Sequence, residues 1–186
     1  MPEDKPRFGY RGMMLDVART WIGMDEVKRY IDLFSYHNIN KLHLHLSDDE
    51  GWRIEIKKYP VLTDIAAWRP YPDWEGWNFG GKRYCRRDDP AADGGYYTQD
   101  EIREVVAYAA VRGIDVIPEI DMPGHCLQAI DSYPWLACFG RGSWGQSFSS
   151  PLCVGKDRTL AFCESVWEEL FELFPYEYVH MGGDEV

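Results

Sequence analysis

Apolar segments and amphipathic helical segments alternate along this 186-residue chain, and that alternation constrains its fold more than any other feature. Because a helix separates successive strands, the order predicts a parallel sheet with right-handed crossover connections. The predicted strands cover about residues 11–16, 41–47, 114–120 and 178–181. The predicted helices cover about residues 24–37, 98–112 and 157–174.

Each predicted strand is followed at once by polar or charged side chains. Because the carboxyl ends of parallel strands meet at one edge of the sheet, we expect these side chains to converge on one site, as in a barrel. A complete (β/α)8 TIM barrel takes roughly 250 residues, and four strands cannot close one. The chain is therefore predicted to be α/β, with only the first four β/α units of such a barrel, in one unit over residues 1–186. The converging residues would be Asp16, Arg19, Asp48, Asp49, Asp121, His125, Asp184 and Glu185.

The remaining segments connect the strands and helices. Residues 52–60 alternate in polarity and are predicted to leave the main sheet briefly, and residues 69–97 are predicted to form a long loop over the site. Thr98 and Glu101 have the spacing of a helix capping box, and Gly113 is predicted to end that helix. A second loop contains Gly140, Gly142 and Gly145.

Composition narrows the classes of partner. The formal net charge is −11, which argues against nucleic acid or an anionic membrane as partner, because both select basic surfaces. No apolar run approaches the roughly 20 residues that a membrane-spanning helix needs. The eight tryptophans and twelve tyrosines fit either a rich core or a surface that stacks on sugar rings.

The five cysteines are odd in number and contain no CxxC pair, so they predict neither a metal framework nor a disulfide scaffold. Most are expected to be buried thiols. The first ten residues lack the apolar core of a signal peptide, and the compartment cannot be deduced from either feature. The cysteines are Cys85, Cys126, Cys138, Cys153 and Cys163.

Asp184 and Glu185 follow two glycines at the end of the last predicted strand. Adjacent carboxylates diverge on extended backbone, so they do not suit the facing pair of an ordinary glycosidase. Two different roles fit better, one acid that protonates a leaving group and one neighbour that orients or polarises another group. A solvated turn is the alternative, and the preceding glycines and strand make it less favoured.

His125 and Arg19 are weaker signals. A histidine near carboxylates such as Asp121 can hold an acid in place and tune its pKa. The guanidinium of Arg19 suits vicinal sugar hydroxyls or a carboxylate. Taken singly, a satisfied polar residue and a surface salt bridge are the more common explanations.

His43 and His45 lie on one face of the second predicted strand and form an HxH pattern, which also occurs in metal-dependent barrel hydrolases. Ser47 and Asp48 occupy the end of that strand instead, so two histidines filling polar space inside a barrel are favoured. The further ligands of a metal site would be His125, His180 and Asp184.

Four segments together resemble the catalytic domain of glycoside hydrolase family 20, the β-N-acetylhexosaminidases. They occur in order over nearly the whole chain, and their combination is highly specific. In sequence they read RGMMLDVAR, KLHLHLSDDEGWRIEIKKYP, YYTQDEIREVVAYAAVRGIDVIPEIDMPGH and YVHMGGDEV.

The resemblance implies a retaining, substrate-assisted mechanism, which the family uses in place of the two-carboxylate scheme. Glu185 would be the general acid/base, and Asp184 would orient the substrate's 2-acetamido group, whose carbonyl oxygen attacks the anomeric carbon. Arg19 would bind ring hydroxyls of the terminal sugar. No metal or organic cofactor is implied. The supporting network around Glu185 would be Asp48, His125 and Asp121.

The resemblance also implies substrates that end in N-acetylglucosamine or N-acetylgalactosamine, on oligosaccharides or glycoconjugates, and a parent enzyme that is periplasmic, secreted or lysosomal. Family members continue through four more strands, so the chain is expected to be a fragment that is inactive by itself. Two alternatives stay open, a metal-dependent TIM-barrel hydrolase that uses His43 and His45, and a non-catalytic sugar-binding module.

Overall fold

The computed structural model describes residues 6–140 and 151–186, so Gly142, Gly145 and the first five residues lie outside the described part. The strands are β1 (Gly12–Asp16), β2 (Lys41–His45), β3 (Ser47–Asp48), β4 (Gly51–Trp52), β5 (Trp68–Arg69), β6 (Asp93–Gly94) and β7 (Asp115–Glu119). The α-helices are α1 (Met24–Tyr36), α2 (Trp74–Phe79), α3 (Gln99–Ala110), α4 (Leu127–Ser132) and α5 (Asp157–Leu173). A π-helical turn at Leu62–Ala66 and a 3-10 turn at Pro134–Leu136 complete the elements.

The central sheet is parallel in the order β1-β2-β7, as the alternation of strands and helices predicted. The side chains of Leu42 and Leu44 in β2 point into the core and are almost fully buried. Leu46, just beyond the strand, is buried as well. His43 and His45 point from the opposite face, because side chains alternate along a strand. The α/β class is confirmed.

The prediction of a fourth strand over residues 178–181 is wrong. The segment makes a single parallel bridge, in which His180 pairs with Glu119 and donates its amide to Pro118 O over 3.0 Å. Gly182 and Gly183 follow with φ of 66° and 92°, outside the range of an extended strand, so the segment makes one bridge and no ladder. Met181 O still accepts the Met122 amide over 3.1 Å just beyond β7.

The capping box at the start of α3 is confirmed. The Thr98 amide donates to Glu101 Oε2 over 2.7 Å, and the Glu101 amide donates to Thr98 Oγ1 over 3.2 Å. The two residues thereby satisfy amide groups that a helix start leaves unpaired. Gly113, with φ of 70°, lies just beyond the helix end at Ala110.

Residues 69–97 contain more regular structure than a plain loop. Helix α2 and the two-stranded pair of β5 and β6 lie within or beside this stretch. The Arg53 side chain, which is 1% exposed, ties it to the main sheet by donating to the carbonyl oxygens of Ala67 and Gly95 and, on the other side, to those of Val17 and Ala18. The loop is therefore anchored beside the end of β1.

Cys138 and Cys153 form a disulfide, which corrects the expectation that the cysteines make none. Sequence spacing could not reveal the pair, because it depends on the fold bringing Cys153 beside Leu136, whose carbonyl oxygen accepts the Cys153 amide over 2.7 Å. Cys126 is a buried thiol, whereas Cys85 and Cys163 are only partly buried. Within the described ranges, no helix has both the length and the apolarity needed to cross a membrane.

Candidate active site

A polar cavity of about 350 Å³ opens where β1, β2 and β7 end. Helix α2 forms part of its wall through Trp74 and Trp77, so residues 69–97 cover the site as predicted. Of the eight residues predicted to converge, five line the cavity, Asp121 and Asp184 lie beside it, and Asp16 pairs with Arg19. The five are Arg19, Asp48, Asp49, His125 and Glu185.

Asp48, only 2% exposed, is the central carboxylate of the site. Its Oδ2 lies 2.6 Å from Arg19 Nη2 and 3.0 Å from His45 Nε2, and its Oδ1 lies 3.2 Å from His125 Nδ1. Burial opposes ionisation of this carboxyl group, but the hydrogen bonds from His125 and His45 and the charge of Arg19 outweigh burial and lower its pKa. Asp48 is thus a fixed anion that holds three cationic side chains.

Asp16 positions both the backbone and the guanidinium of Arg19. Its Nη1 lies 2.8 Å from Asp16 Oδ2, and the backbone amides of Ala18 and Arg19 donate to Asp16 Oδ1 over 3.1 and 2.9 Å. Partial burial lowers the pKa of Arg19, but the hydrogen bond to Asp16 and the charge of Asp48 more than compensate, so that the net pKa is raised. The side chain remains 42% exposed, so its guanidinium can also reach a ligand in the cavity.

His125 links Asp48 to the end of the chain. Its Nε2 lies 3.5 Å from Glu185 Oε2 and 3.7 Å from Asp184 Oδ2. The hydrogen bonds to Asp48 and Asp49 raise the pKa of His125 to about 11, so the ring is a cation at neutral pH. The same imidazolium nitrogen thus faces both carboxylates.

The expectation that Asp184 and Glu185 diverge is wrong. Glu185 has φ of 53°, so the backbone there is left-handed and the alternation of an extended chain does not apply. Both carboxylates consequently approach the same nitrogen of His125. Their side chains are 68% and 71% exposed, which leaves them accessible to a ligand.

Asp121 supports the segment that carries the two acids. Its Oδ1 accepts the Gly183 amide over 3.0 Å, and its own amide donates to Ser47 Oγ over 3.0 Å. Burial raises the pKa of Asp121 to about 6; the Gly183 amide opposes this shift, and the charge of Asp184 adds to it. Asp121 thus acts on the backbone that precedes Asp184.

We expect Gly182→Ala to disturb this segment. A methyl group at position 182 would overlap the Asp121 carboxylate, and φ of 66° costs a non-glycine residue about 1–2 kcal/mol. The free energy of unfolding should therefore fall, and the NMR resonances of the His125 ring should shift as Asp184 and Glu185 move. Gly113→Ala is the control, because Gly113 has φ of 70° and open space around it. Equal His125 spectra in the two variants would contradict the role given to Gly182.

Glu119 was missed by the sequence analysis. It is 5% exposed, and its carboxylate lies 2.8 Å from His43 Nε2, 2.5 Å from His45 Nδ1 and 2.8 Å from His180 Nδ1. Burial disfavours its ionised form, but hydrogen bonds from His43 and His45 lower its pKa. Burial lowers the pKa of His45, but its hydrogen bonds to Asp48 and Glu119 outweigh burial and raise that pKa to about 10. The signal in the sequence was an acid on β7, in register with the HxH pattern on β2.

The five residues considered for a metal site do not come together. His43 and His180 converge with Glu119, whereas His125 and Asp184 converge with Asp121. His45 is held between Glu119 and Asp48 by both of its ring nitrogens. Both histidines of the HxH pattern therefore make polar contacts on the sheet face opposite Leu42 and Leu44, and their place inside a barrel stays a prediction.

Glu50 and Trp74 are two further cavity residues that the sequence analysis did not select. Glu50 is 6% exposed, and its Oε1 accepts a hydrogen bond from Trp74 Nε1 over 2.6 Å. Burial and the nearby charge of Asp48 raise the pKa of Glu50 to about 7. The acid directly after Asp48 and Asp49 was visible in the sequence, but its partner on α2 was not.

Comparison with known proteins identifies the family. Residues 8–186 match the family described as "Glycosyl hydrolase family 20, catalytic domain". A "Beta-hexosaminidase" of Porphyromonas gingivalis is 43% identical over 188 residues, which are 98% of this chain and 22% of that protein. A "Beta-hexosaminidase" of Vibrio furnissii is 46% identical over 192 residues, 99% of this chain and 30% of that protein.

The same relationship holds in three dimensions. The crystal structure of a family 20 exo-β-N-acetylglucosaminidase from Vibrio harveyi, in complex with N-acetylglucosamine, superposes with a TM-score of 0.82 at 42% identity. The match covers 98% of this chain and 28% of that one, so the chain spans about a fifth to a third of the length of these relatives. On sequence and structure alike, this chain belongs to glycoside hydrolase family 20 and matches its catalytic domain.

Proposed function

We propose that the protein carrying these residues is a β-N-acetylhexosaminidase, which removes terminal non-reducing N-acetylhexosamine from glycans. The observation that carries the proposal is the meeting of Asp184 and Glu185 at His125, beside a cavity that also contains Arg19. The relatives named beta-hexosaminidase support the substrate class.

We further propose that the described strands are the first units of the family's (β/α)8 barrel. The parallel order β1-β2-β7, with the His180 segment bridged to the far side of β7, is the order in which barrel strands follow one another. Because these residues form one side of a sugar pocket, we expect the 186-residue chain by itself to turn over far more slowly than its relatives.

In this proposal Glu185 is the general acid and base. It protonates the glycosidic oxygen as the bond to the anomeric carbon breaks, and it then removes a proton from the attacking water. His125, held by Asp48, lies beside the carboxyl group and limits where it can sit. The exposed position of Glu185 at the cavity gives the leaving group access to it.

Asp184 takes the second role. Its carboxylate accepts a hydrogen bond from the N–H of the 2-acetamido group, which turns the acetamido carbonyl oxygen toward the anomeric carbon. That oxygen attacks, forms a cyclic oxazolinium-type intermediate and is displaced by water, so configuration is retained. Asp121 and Gly182 hold the backbone in front of Asp184, and Arg19 binds ring hydroxyls of the terminal sugar.

Fluorination of the acetamido group tests this mechanism. The active enzyme here means the full-length protein that carries these residues. It should hydrolyse aryl β-N-acetylglucosaminides progressively more slowly as their acetamido group carries one, two or three fluorines, because fluorine withdraws electrons from the attacking oxygen. A rate that is independent of fluorination would contradict substrate assistance. Binding of N-acetylglucosamine without any turnover would contradict the enzymatic proposal and support the sugar-binding module.

A further inference from the structure

Glu50 has an unusual position among the carboxylates of the cavity. It is 6% exposed, and its Oε1 is occupied by Trp74, whereas its Oε2 is buried without a hydrogen-bond partner among the described residues. Arg19 Nε lies 3.8 Å from Oε2, beyond hydrogen-bond distance. A buried carboxylate oxygen left unpaired is costly, so a ligand that supplies a donor there gains free energy.

The residues that line the cavity indicate what kind of ligand would fit beside Glu50. Glu50 and Arg19 both line it, on the same wall, and His125 and Glu185 lie in the lining as well. An arginine offers only donors and a carboxylate offers only acceptors, so the pair complements two neighbouring hydroxyl groups that each donate and accept. The aromatic side chains of Trp74 and Trp77 adjoin the pair, and such flat faces suit the C–H faces of a sugar.

We propose that Glu50 is a further sugar-binding residue, whose Oε2 accepts a hydrogen bond from the ring hydroxyl adjacent to the one bound by Arg19. This inference rests on the proposed function and adds a determinant of which sugar is accepted. An acceptor fixed at one position discriminates between sugars by the presence and orientation of that hydroxyl. Trp74 is a positioning residue in this scheme, because its indole N–H fixes the other oxygen of Glu50.

The ionisation of Glu50 depends on the groups that face it. Arg19 and Asp48 act on it most directly, and the other charged residues that line the cavity are Asp49, Lys82, His125 and Glu185. With a pKa near 7, Glu50 is mostly ionised at pH 8 and is then an acceptor at both oxygens. Variants are therefore best compared at that single pH.

The test compares wild type and Glu50→Gln on a set of deoxy sugars, as in a double-mutant cycle. The protein assayed is the full-length protein that carries these residues. The substrates are aryl β-N-acetylglucosaminides with all hydroxyls present or with the 3-, 4- or 6-hydroxyl removed. For the full sugar, Glu50→Gln should lower kcat/KM roughly 10- to 100-fold, because a charged acceptor is lost. For one deoxy sugar the wild type and the variant should become nearly equal, since the partner hydroxyl is absent.

Two controls separate this role from a structural one. Glu104→Gln alters an exposed acid paired with Lys28 and should leave every ratio unchanged. Trp74→Phe keeps an aromatic ring but removes the donor to Glu50, and should weaken the same hydroxyl preference. If Glu50→Gln lowers kcat/KM equally for all four substrates, or not at all, the assignment of Glu50 is wrong. If the wild type hydrolyses none of them, the proposed function itself fails.

Discussion

Glu185→Gln is expected to lower kcat roughly 10²- to 10⁴-fold in the active enzyme on a sugar-linked substrate, because the leaving oxygen then receives no proton from the enzyme. Glutamine preserves the size of the side chain, so binding should change little. The measurement is steady-state turnover of an N-acetylglucosamine disaccharide. Glu177→Gln, a change at an exposed acid close by in the chain, is the matched control and should keep wild-type kcat.

The leaving group adds a sharper test of the same residue. A nitrophenolate leaves without protonation, so the first step of Glu185→Gln should recover much of its rate with that substrate. Hydrolysis of the intermediate still needs a base, and added azide should accelerate it by replacing water. If the loss were the same for good and poor leaving groups, Glu185 would not be the acid.

Asp48→Asn is expected to lower the free energy of unfolding by about 3–5 kcal/mol, the range for removing one partner of a buried ion pair. The reason is that Arg19, His45 and His125 all lose their shared anion at a site only 2% exposed. Urea denaturation measures the change. Asp115→Asn, which alters a half-exposed pair with Lys41, should cost no more than about 1 kcal/mol. Equal losses in the two variants would contradict the central role of Asp48.

The same network predicts how stability depends on pH. The folded pKa of Asp48 is lowered, so its contribution is present above the unfolded value of about 3.9 and is lost as pH falls toward the folded value. The pKa values of His45 and His125 are raised to about 10 and 11. Their contribution is complete below about pH 6.5 and is lost as pH rises through 10 to 11. Asp48→Asn should flatten this alkaline loss, which denaturation at pH 6 and pH 10 would detect.

Most strands and helices, and the acids that follow the strands, could be predicted because each is marked by a pattern of neighbouring residues. Alternation placed β2, the Thr98 capping box placed α3, and the carboxyl ends of parallel strands placed Asp48 beside His125. The first two signals are read within a few neighbouring residues, and the third follows from the parallel pairing that the alternation of strands and helices implies.

The features that could not be predicted depend on contacts between distant segments. Glu119 meets His45 across 74 positions, and Trp74 reaches Glu50 from a helix that looked like loop in the sequence. The backbone of Glu185 is left-handed, which a glutamate rarely adopts, so the sequence favoured diverging carboxylates. The Cys138–Cys153 bond likewise depends on how a long connection returns to Leu136.

The buried guanidinium of Arg53 ties two distant parts of the chain together. It holds the carbonyl oxygens of Val17 and Ala18, directly before Arg19, and also those of Ala67 and Gly95 at the base of the loop. A displacement of the loop base would therefore shift the backbone next to Arg19 through one rigid, planar group. If Arg19 binds sugar hydroxyls as proposed, loop substitutions that touch no sugar would change substrate preference by changing the angle at which Arg19 meets its hydroxyl.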